Sequence, residues 1–511
     1  MGSDGGQVRE EVDSIMSLQS SKPHVVIITV PAPGHIFPSI ALGKALARQG
    51  VKVTLLSSGC VPEKLRRDVE LGEEELDMTL GTVLEDPLQE PEHPMALIPW
   101  LSKLPREEMV EHAYNIIQKL SPPPCCFISD TFISWTKMLE EKLGIPRHFL
   151  VTMSASSLLF MFAVPLFAKK GILPLEPAAE VELPVPGIGN VPKGDVWEYF
   201  LKGGPFQLDQ MILCLKGFTE SFPTATYLIN STEELEPEAF RALTEPVPFT
   251  GEVAKVVSIG PLEQSFAFKG GDGVSFELRE AESKCKKLSS EVEEWLDSQP
   301  NGSVMYISFG TIFSLQSEQV LELAHGVEAS GQRFLWIIRP PNVPHIMLSK
   351  QPTKEEISAI LPPGFEERTK DRGMLYSSWA PQPKILSHRA VGLFMSHCGW
   401  NSTLEAISAS TPILGSPLFT DQWMNATLLE KRFRIGTVLR DGGFERGSIE
   451  KSIKLMMEGE EGRVARRNVT RLNRVLRDAV TPSSGTSPKN LEQYLSELVA
   501  LDTKMNSSHD S

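Results

Sequence analysis

Six cysteines among 511 residues form no CxxC pair and no dense framework, which sets aside zinc ribbons, dithiol redox centres and disulfide-stapled domains. Cys60, Cys125, Cys126, Cys214, Cys285 and Cys398 read as reduced thiols of a cytosolic protein. Positive charge is also short: 50 Lys and Arg face 65 Asp and Glu, a formal balance of −15. That deficit argues against a nucleic-acid surface or attachment to an anionic membrane. Long apolar runs are missing too, since the most apolar stretch, 157–168, is broken by Pro165 and falls short of a bilayer span. The chain opens with acidic and small polar residues, so no secretory signal is expected. The sixteen aspartates include no Asp-x-Asp pair for a hard cation, and His and Cys show no zinc spacing. No metal cofactor is therefore expected.

What is present is an ordinary globular composition, 41% hydrophobic and 23% charged. A chain of 511 residues exceeds one core, so two domains are expected. His24 to Val30 is a continuous, β-branched run that suits a buried parallel strand. A Pro/Gly loop, a helix with Leu42, Ala45 and Leu46 on one face, and a run from Val51 to Leu56 complete a βαβ unit. Further strands are predicted at 125–129, 148–152 and 227–230. Lys269 to Gly273 is a linker signature, after which strands are predicted at 303–309, 333–338, 374–377, 391–396 and 412–417. The fold class is α/β, with two doubly wound, Rossmann-like domains facing across a cleft.

The boundaries are a disordered leader at 1–22, a first domain at 23–263, a linker at 264–290 and a second domain at 291–480. A C-terminal helix at 481–502 and a tail at 503–511 follow. That helix carries a stripe of Leu491, Tyr494, Leu495 and Leu498 that must pack on something. The segment 340–362 is polar and proline-bounded and reads as a surface loop.

Chemistry concentrates between Trp379 and Gln422. The strand 391–396 runs into His397-Cys-Gly-Trp400, and Asn401-Ser402 opens a helix whose free N–H groups form an anion site. His397 is placed to donate to a phosphate, and Asn401 and Ser402 to cap the helix or bind that phosphate. Glu405, one turn deeper, suits ribose hydroxyls, and Trp379 offers a face for a base. Taken singly, each residue has an everyday structural explanation: a core Trp, a structural His, an N-cap Asn or Ser. Their order on one strand–turn–helix is what points to a nucleotide.

In the first half, His35 sits in Pro31-Ala-Pro-Gly-His-Ile-Phe-Pro38, at the sheet edge where such folds bind ligands. An imidazole with a pKa near 6.5 suits a general base, and a buried carboxylate would fix its tautomer. Asp130, at the end of the 125–129 strand, is the candidate carboxylate; a helix-capping role is the alternative.

The 44 positions from Trp379 to Gln422 resemble the plant secondary-product glycosyltransferase box of family 1 UDP-sugar glycosyltransferases. The likeness extends over most of the chain outside its termini. It implies the GT-B fold, a donor site in the second domain, an acceptor site in the first, and a final helix that crosses back to the first domain. It also implies that Trp379 stacks on uracil with Gln382 nearby, Glu405 holds the ribose, and His397, Asn401 and Ser402 bind the diphosphate. Trp400, Asp421 and Gln422 would contact the sugar. Thr311 stands where the family has serine, its hydroxyl still able to reach a phosphate, and Thr152 matches a residue near the sugar. Ser410-Thr411 departs from the family pattern, where Gly precedes the Pro412 turn. The family's Gly-His-x-x-Pro base and its Asp partner match His35 and Asp130.

The mechanism implied is a single in-line displacement with inversion, with UDP-glucose as co-substrate and a small apolar acceptor such as a flavonoid or other phenol. Gln422 marks glucose over galactose in that family. A terpenoid or hormone acceptor, and attack by nitrogen or sulfur, stay open. The acceptor segments 131–135, 153–165 and 196–206 are rich in Phe, Trp, Met and Leu, which core packing explains equally well. A monomer is expected. One rival, an NAD-dependent oxidoreductase, needs a Gly-x-Gly-x-x-Gly turn, and Pro31 to Pro38 has one glycine. A non-catalytic nucleotide-sugar binder of the same fold is the other.

Overall fold

The computed structural model describes residues 22–59, 76–83, 106–176, 182–185, 189–192, 200, 212, 225–245, 253, 255–262, 289–310, 315–340, 352–378, 380–439, 444–482 and 484–509. The first half contains β1 (His24–Thr29), α1 (Pro33–Arg48), β2 (Lys52–Ser57), β3 (Met78–Thr82), α2 (Arg106–Ile117), β4 (Cys126–Asp130) and α3 (Thr136–Leu143). It continues through β5 (Arg147–Val151), α4 (Ala155–Lys169), the hairpin β6 (Glu182–Val185) and β7 (Gly189–Pro192), β8 (Thr226–Ile229), α5 (Pro237–Thr244) and β9 (Lys255–Ser258). The second half holds α6 (Ser290–Asp297), β10 (Val304–Ser308), α7 (Ser317–Ser330), β11 (Arg333–Ile337), α8 (Lys354–Ala359), α9 (Phe365–Thr369) and β12 (Gly373–Tyr376). After these come α10 (Gln382–Leu386), β13 (Val391–Ser396), α11 (Trp400–Ser408), β14 (Ile413–Gly415), α12 (Gln422–Thr427) and β15 (Gly436–Val438). Helices α13 (Arg446–Glu458), α14 (Glu460–Val480) and α15 (Thr486–His509) close the chain.

The first sheet has the order β3-β2-β1-β4-β5-β8-β9 and the second β12-β11-β10-β13-β14-β15. Every pairing within these two sheets is parallel, which requires helices on both faces and strands buried on both sides. β1, β4 and β13 are buried at every position, as their continuous apolar runs demand. In each sheet the order reverses beside the first strand of that half, between β1 and β4 and between β10 and β13. Those switch points open crevices at the carboxyl ends of the strands.

Helix α4 is apolar on nearly all sides, so it has to be enclosed. Its residues Leu158 to Val164 share a core with Phe149 and Tyr227 of their own half and with Phe419 and Met424 of the other. The apolar stretch noted in the sequence is therefore buried packing between halves. Among the described residues no helix is long and apolar enough to cross a membrane.

Helix α15 lies on the first sheet, where Tyr494, Leu495 and Leu498 pack with Val25, Ile27 and Leu228. Tyr494 Oη lies 2.7 Å from His148 Nδ1, and Lys255 pairs with Glu497. The tail expected from Thr503 is instead helix as far as His509. Thr503 bonds back to the Val499 carbonyl, Asn506 to Asp502, and Met505 packs on the core.

The surface-loop reading of 340–362 also needs correction. α8 lies within it, started by a capping box in which Thr353 and Glu356 bond reciprocally, and it buries Ile357. The Thr-x-x-Glu spacing was visible in the sequence and went unread. Ser289, assigned to the linker, caps α6. Most of the linker and the leader up to residue 21 lie outside the described residues.

Candidate active site

β1 ends at Thr29 and the chain turns through Pro31 into α1, which places His35 in that helix's first turn at the sheet's carboxyl edge. Asp130 is the last residue of the neighbouring β4, so parallel pairing brings both to one crevice. His35 Nδ1 donates to Asp130 Oδ2 at 2.7 Å. The other carboxylate oxygen, Oδ1, accepts from the Phe132 N–H at 2.9 Å. Asp130 is 1% exposed and caps no helix, while the His35 side chain is 20% exposed. Phe132 meets the imidazole edge-on at 5.5 Å. Burial lowers the His35 pKa, but Asp130, through its charge and hydrogen bond, and more distantly Asp421 outweigh it, and the net shift is upward. Nδ1 is occupied, so Nε2 is the nitrogen left to take a proton.

Thr152, expected near the sugar, lies 3.2 Å from His35 Nδ1 through its Oγ1 and is buried. It joins Asp130 in fixing the imidazole.

Across the cleft, β13 delivers His397 and the turn into α11, whose N-cap is Gly399. Asn401 and Ser402 are thus inside the first turn and cap nothing, leaving the helix's first N–H groups unblocked. The His397 ring sits between two glycines: a Cβ would approach it to 2.7 Å at Gly310 and 2.6 Å at Gly399. Burial pushes its pKa down to about 4, so the ring is neutral at physiological pH. Its Nδ1 is buried without a hydrogen-bond partner. A buried orphan nitrogen beside a helix N-terminus fits a missing acceptor such as a phosphate oxygen.

Gln382 organises the deeper part of this site. Its Nε2 donates to Glu405 Oε2 at 2.6 Å and to Ser402 Oγ at 2.9 Å, and Tyr306 Oη donates to its Oε1 at 3.4 Å. With Ser402 Oγ already accepting, its proton is directed outward. Trp379 and Thr311 lie outside the described residues.

Two of the residues expected at the ligand also bond across the halves. The Trp400 indole is buried and its Nε1 donates to the Asn230 carbonyl at 2.8 Å. Asn401 Nδ2 donates to the Gly34 carbonyl, immediately before His35, at 3.1 Å, and Asn230 Nδ2 lies 3.4 Å from Asn401 Oδ1. No local pattern singles out Asn230, because its role depends on the opposing half. Asp421 accepts from Thr420 Oγ1 at 3.0 Å and Asn425 Nδ2 at 2.8 Å; burial raises its pKa while these bonds and His35 oppose the rise. Gln422 Oε1 accepts from the Leu418 and Phe419 N–H groups, both at 2.9 Å, which occupies its acceptor and leaves the Nε2 donor for a ligand.

Two Rossmann-like domains with a His–Asp pair on one side of a cleft and a helix N-terminus with a neutral imidazole on the other define a GT-B glycosyltransferase. Residues 279–482 match the family model described as UDP-glucoronosyl and UDP-glucosyl transferase. The chain is 32% identical to UDP-glycosyltransferase 72B1 of Arabidopsis thaliana, covering 95% of this chain and 97% of that protein. It is 30% identical to 7-deoxyloganetin glucosyltransferase of Gardenia jasminoides over 94% and 98% of the two chains. Among solved structures, UGT2 of Phytolacca americana, complexed with UDP-2fluoro-glucose and pterostilbene, superposes with a TM-score of 0.75 at 28% identity, covering 93% and 99%. The chain belongs to the plant-type family 1 UDP-glycosyltransferases and is a UDP-sugar-dependent glycosyltransferase.

Proposed function

We propose that the protein is an inverting O-glucosyltransferase that moves glucose from UDP-glucose to a hydroxyl of a small, planar, apolar acceptor such as a flavonoid or stilbene-like phenol. The observation that carries this reading is the 2.7 Å bond from His35 Nδ1 to buried Asp130, which leaves Nε2 directed to accept a proton. His35 Nε2 removes the acceptor's hydroxyl proton as the oxygen bonds to the anomeric carbon. The bond from that carbon to the β-phosphate oxygen breaks on the opposite face, and UDP departs with the electron pair. Asp130 stabilises the imidazolium so formed. The α11 N-terminus and His397 Nδ1–H take up the charge on the diphosphate without a metal ion.

The acceptor wall rests on fewer residues than composition implied. Met153 to Val164 are buried core, 196–206 is described only at Phe200, and Phe132 is the partly buried aromatic beside His35. Names of relatives support glucose and aromatic or terpenoid-derived acceptors: one is an anthocyanidin 3-O-glucosyltransferase, another the 7-deoxyloganetin enzyme. The working form proposed is a cytosolic monomer.

The test is release of UDP from UDP-glucose with a panel of phenolic acceptors, each product checked by mass, before and after exhaustive chelation. Turnover persists without metal, and His35→Ala abolishes it while calorimetry finds UDP affinity within about threefold of wild type, since base and donor site lie on opposite halves. Retained turnover in that variant, or activity lost on chelation and restored by magnesium, sinks the corresponding assignment.

A further inference from the structure

Asn425 lies three residues beyond the motif that runs from Trp379 to Gln422, and neither base nor leaving-group chemistry uses it. It is fully buried, at 0% exposure. Its Nδ2 donates to Asp421 Oδ2 at 2.8 Å and to the Cys398 carbonyl at 3.0 Å, the latter in the turn beside His397. Its Oδ1 faces the other half, 3.1 Å from Ser154 Oγ and 3.4 Å from Ser157 Oγ. Ser154 is the N-cap of α4, accepting from the Ser157 N–H, and the two serine hydroxyls lie 2.8 Å apart. Each hydroxyl has one proton. Ser154, the nearer of the two, donates to Asn425 Oδ1. The residue before Asp421, Thr420, has φ of 50°, a left-handed turn that a β-branched residue adopts only when its surroundings hold it.

We propose that Asn425 is a positioning residue that fastens the Asp421 carboxylate to the start of α4 in the opposite half, so that Asp421 is aimed at the donor sugar only when the two halves are closed. This rests on the reading of Asp421 as a sugar contact. An amide is the group the position requires, because it must donate to a carboxylate and a carbonyl on one side and accept from a hydroxyl on the other. The ribose end of the site has its own bonds, from Gln382 to Ser402 and Glu405.

Asn425→Asp keeps the shape and replaces the donor with an oxygen facing Asp421. The paired carboxylates then share a proton at low pH, which restores a donor to Asp421. The expected result is UDP affinity close to wild type, a melting temperature lowered at pH 8 by the buried pair of carboxylates, and kcat for UDP-glucose lowered on the order of 30-fold at that pH. Measured against wild type at each pH, the deficit narrows as pH falls to 6. Ser154→Ala lowers kcat several-fold without that pH trend. A deficit below about threefold at pH 8, one constant with pH, or one accompanied by an equal loss of UDP affinity overturns the proposal. If Asn425→Asp does not fold, Ser154→Ala decides, and unchanged kcat there refutes the tie to the opposite half. Asp421→Ala separates the two readings: unchanged kcat and donor KM would reject Asp421 as the sugar contact itself.

Discussion

Replacing Asp130 with Asn tests the base most directly, because the structure fixes what each orientation of the new amide would do. With its oxygen kept on the Phe132 N–H, its NH2 faces His35 Nδ1. That nitrogen must then accept, its proton moves to Nε2, and the atom needed to receive the acceptor's proton is blocked. With the amide turned over, the tautomer survives but the NH2 confronts the half-buried Phe132 N–H. The second arrangement loses a charge-assisted bond, about 1.5–3 kcal/mol, and leaves that donor unsatisfied, about 1–3 kcal/mol. A combined cost of about 3–5 kcal/mol corresponds to a loss of roughly 10²–10⁴-fold in kcat. The pH dependence gives an independent check. The His35 pKa is raised with Asp130 as the leading upward influence, so the acidic limb of kcat/KM lies above 6.5 in the wild type and moves to lower pH in Asp130→Asn. Steady-state UDP release between pH 5.5 and 9, with calorimetric UDP binding as control, measures both. A variant within tenfold of wild type, or an acidic limb that stays put, refutes the reasoning.

Gln422→Glu retains an oxygen for the Leu418 and Phe419 N–H groups but removes the Nε2 donor; kcat/KM for UDP-glucose falls about tenfold or more with UDP affinity nearly unchanged. In competition, wild type prefers UDP-glucose over UDP-galactose and UDP-glucuronic acid, and the reverse preference would remove Gln422 as a determinant. Stability falls on acidification: burial holds the His148 and His397 pKa values at about 4, below 6.5, so their contributions are complete above pH 6.5 and decline as pH drops toward 4. For His148 the loss is on the order of 3 kcal/mol. Melting temperature followed from pH 7 to 4.5 shows a shallower slope in His148→Gln, which keeps an acceptor for Tyr494; an identical slope would contradict the assignment. His35, with its raised pKa, acts in the opposite sense and loses its contribution only as pH rises above 6.5.

Periodicity and chemistry in the sequence were enough to determine the two α/β halves, the strands His24–Thr29 and Val391–Ser396, and the following helix, which starts at Trp400, one residue before the expected Asn401. These are local: a β-branched run between Gly and Pro punctuation has few alternatives, and parallel strands must end at a common edge. His35 and Asp130 each read as lying at the carboxyl end of a strand, but only the family resemblance paired them, and it is the β1–β4 pairing that brings them together. The short or half-exposed strands at 78–82 and 255–258 carried too weak a pattern and were missed. So was the last turn of α15, which is held by packing of Met505 rather than by propensity. Tertiary structure alone decided which polar groups face a ligand and which face the opposing half. Trp400 donates to Asn230, Asn401 to Gly34, Thr152 adjoins His35, and Gln422 has its oxygen taken by backbone N–H groups. Each of these contacts spans either a chain separation or a turn geometry that no local pattern encodes, because a side chain's partner is fixed by how two cores close on each other.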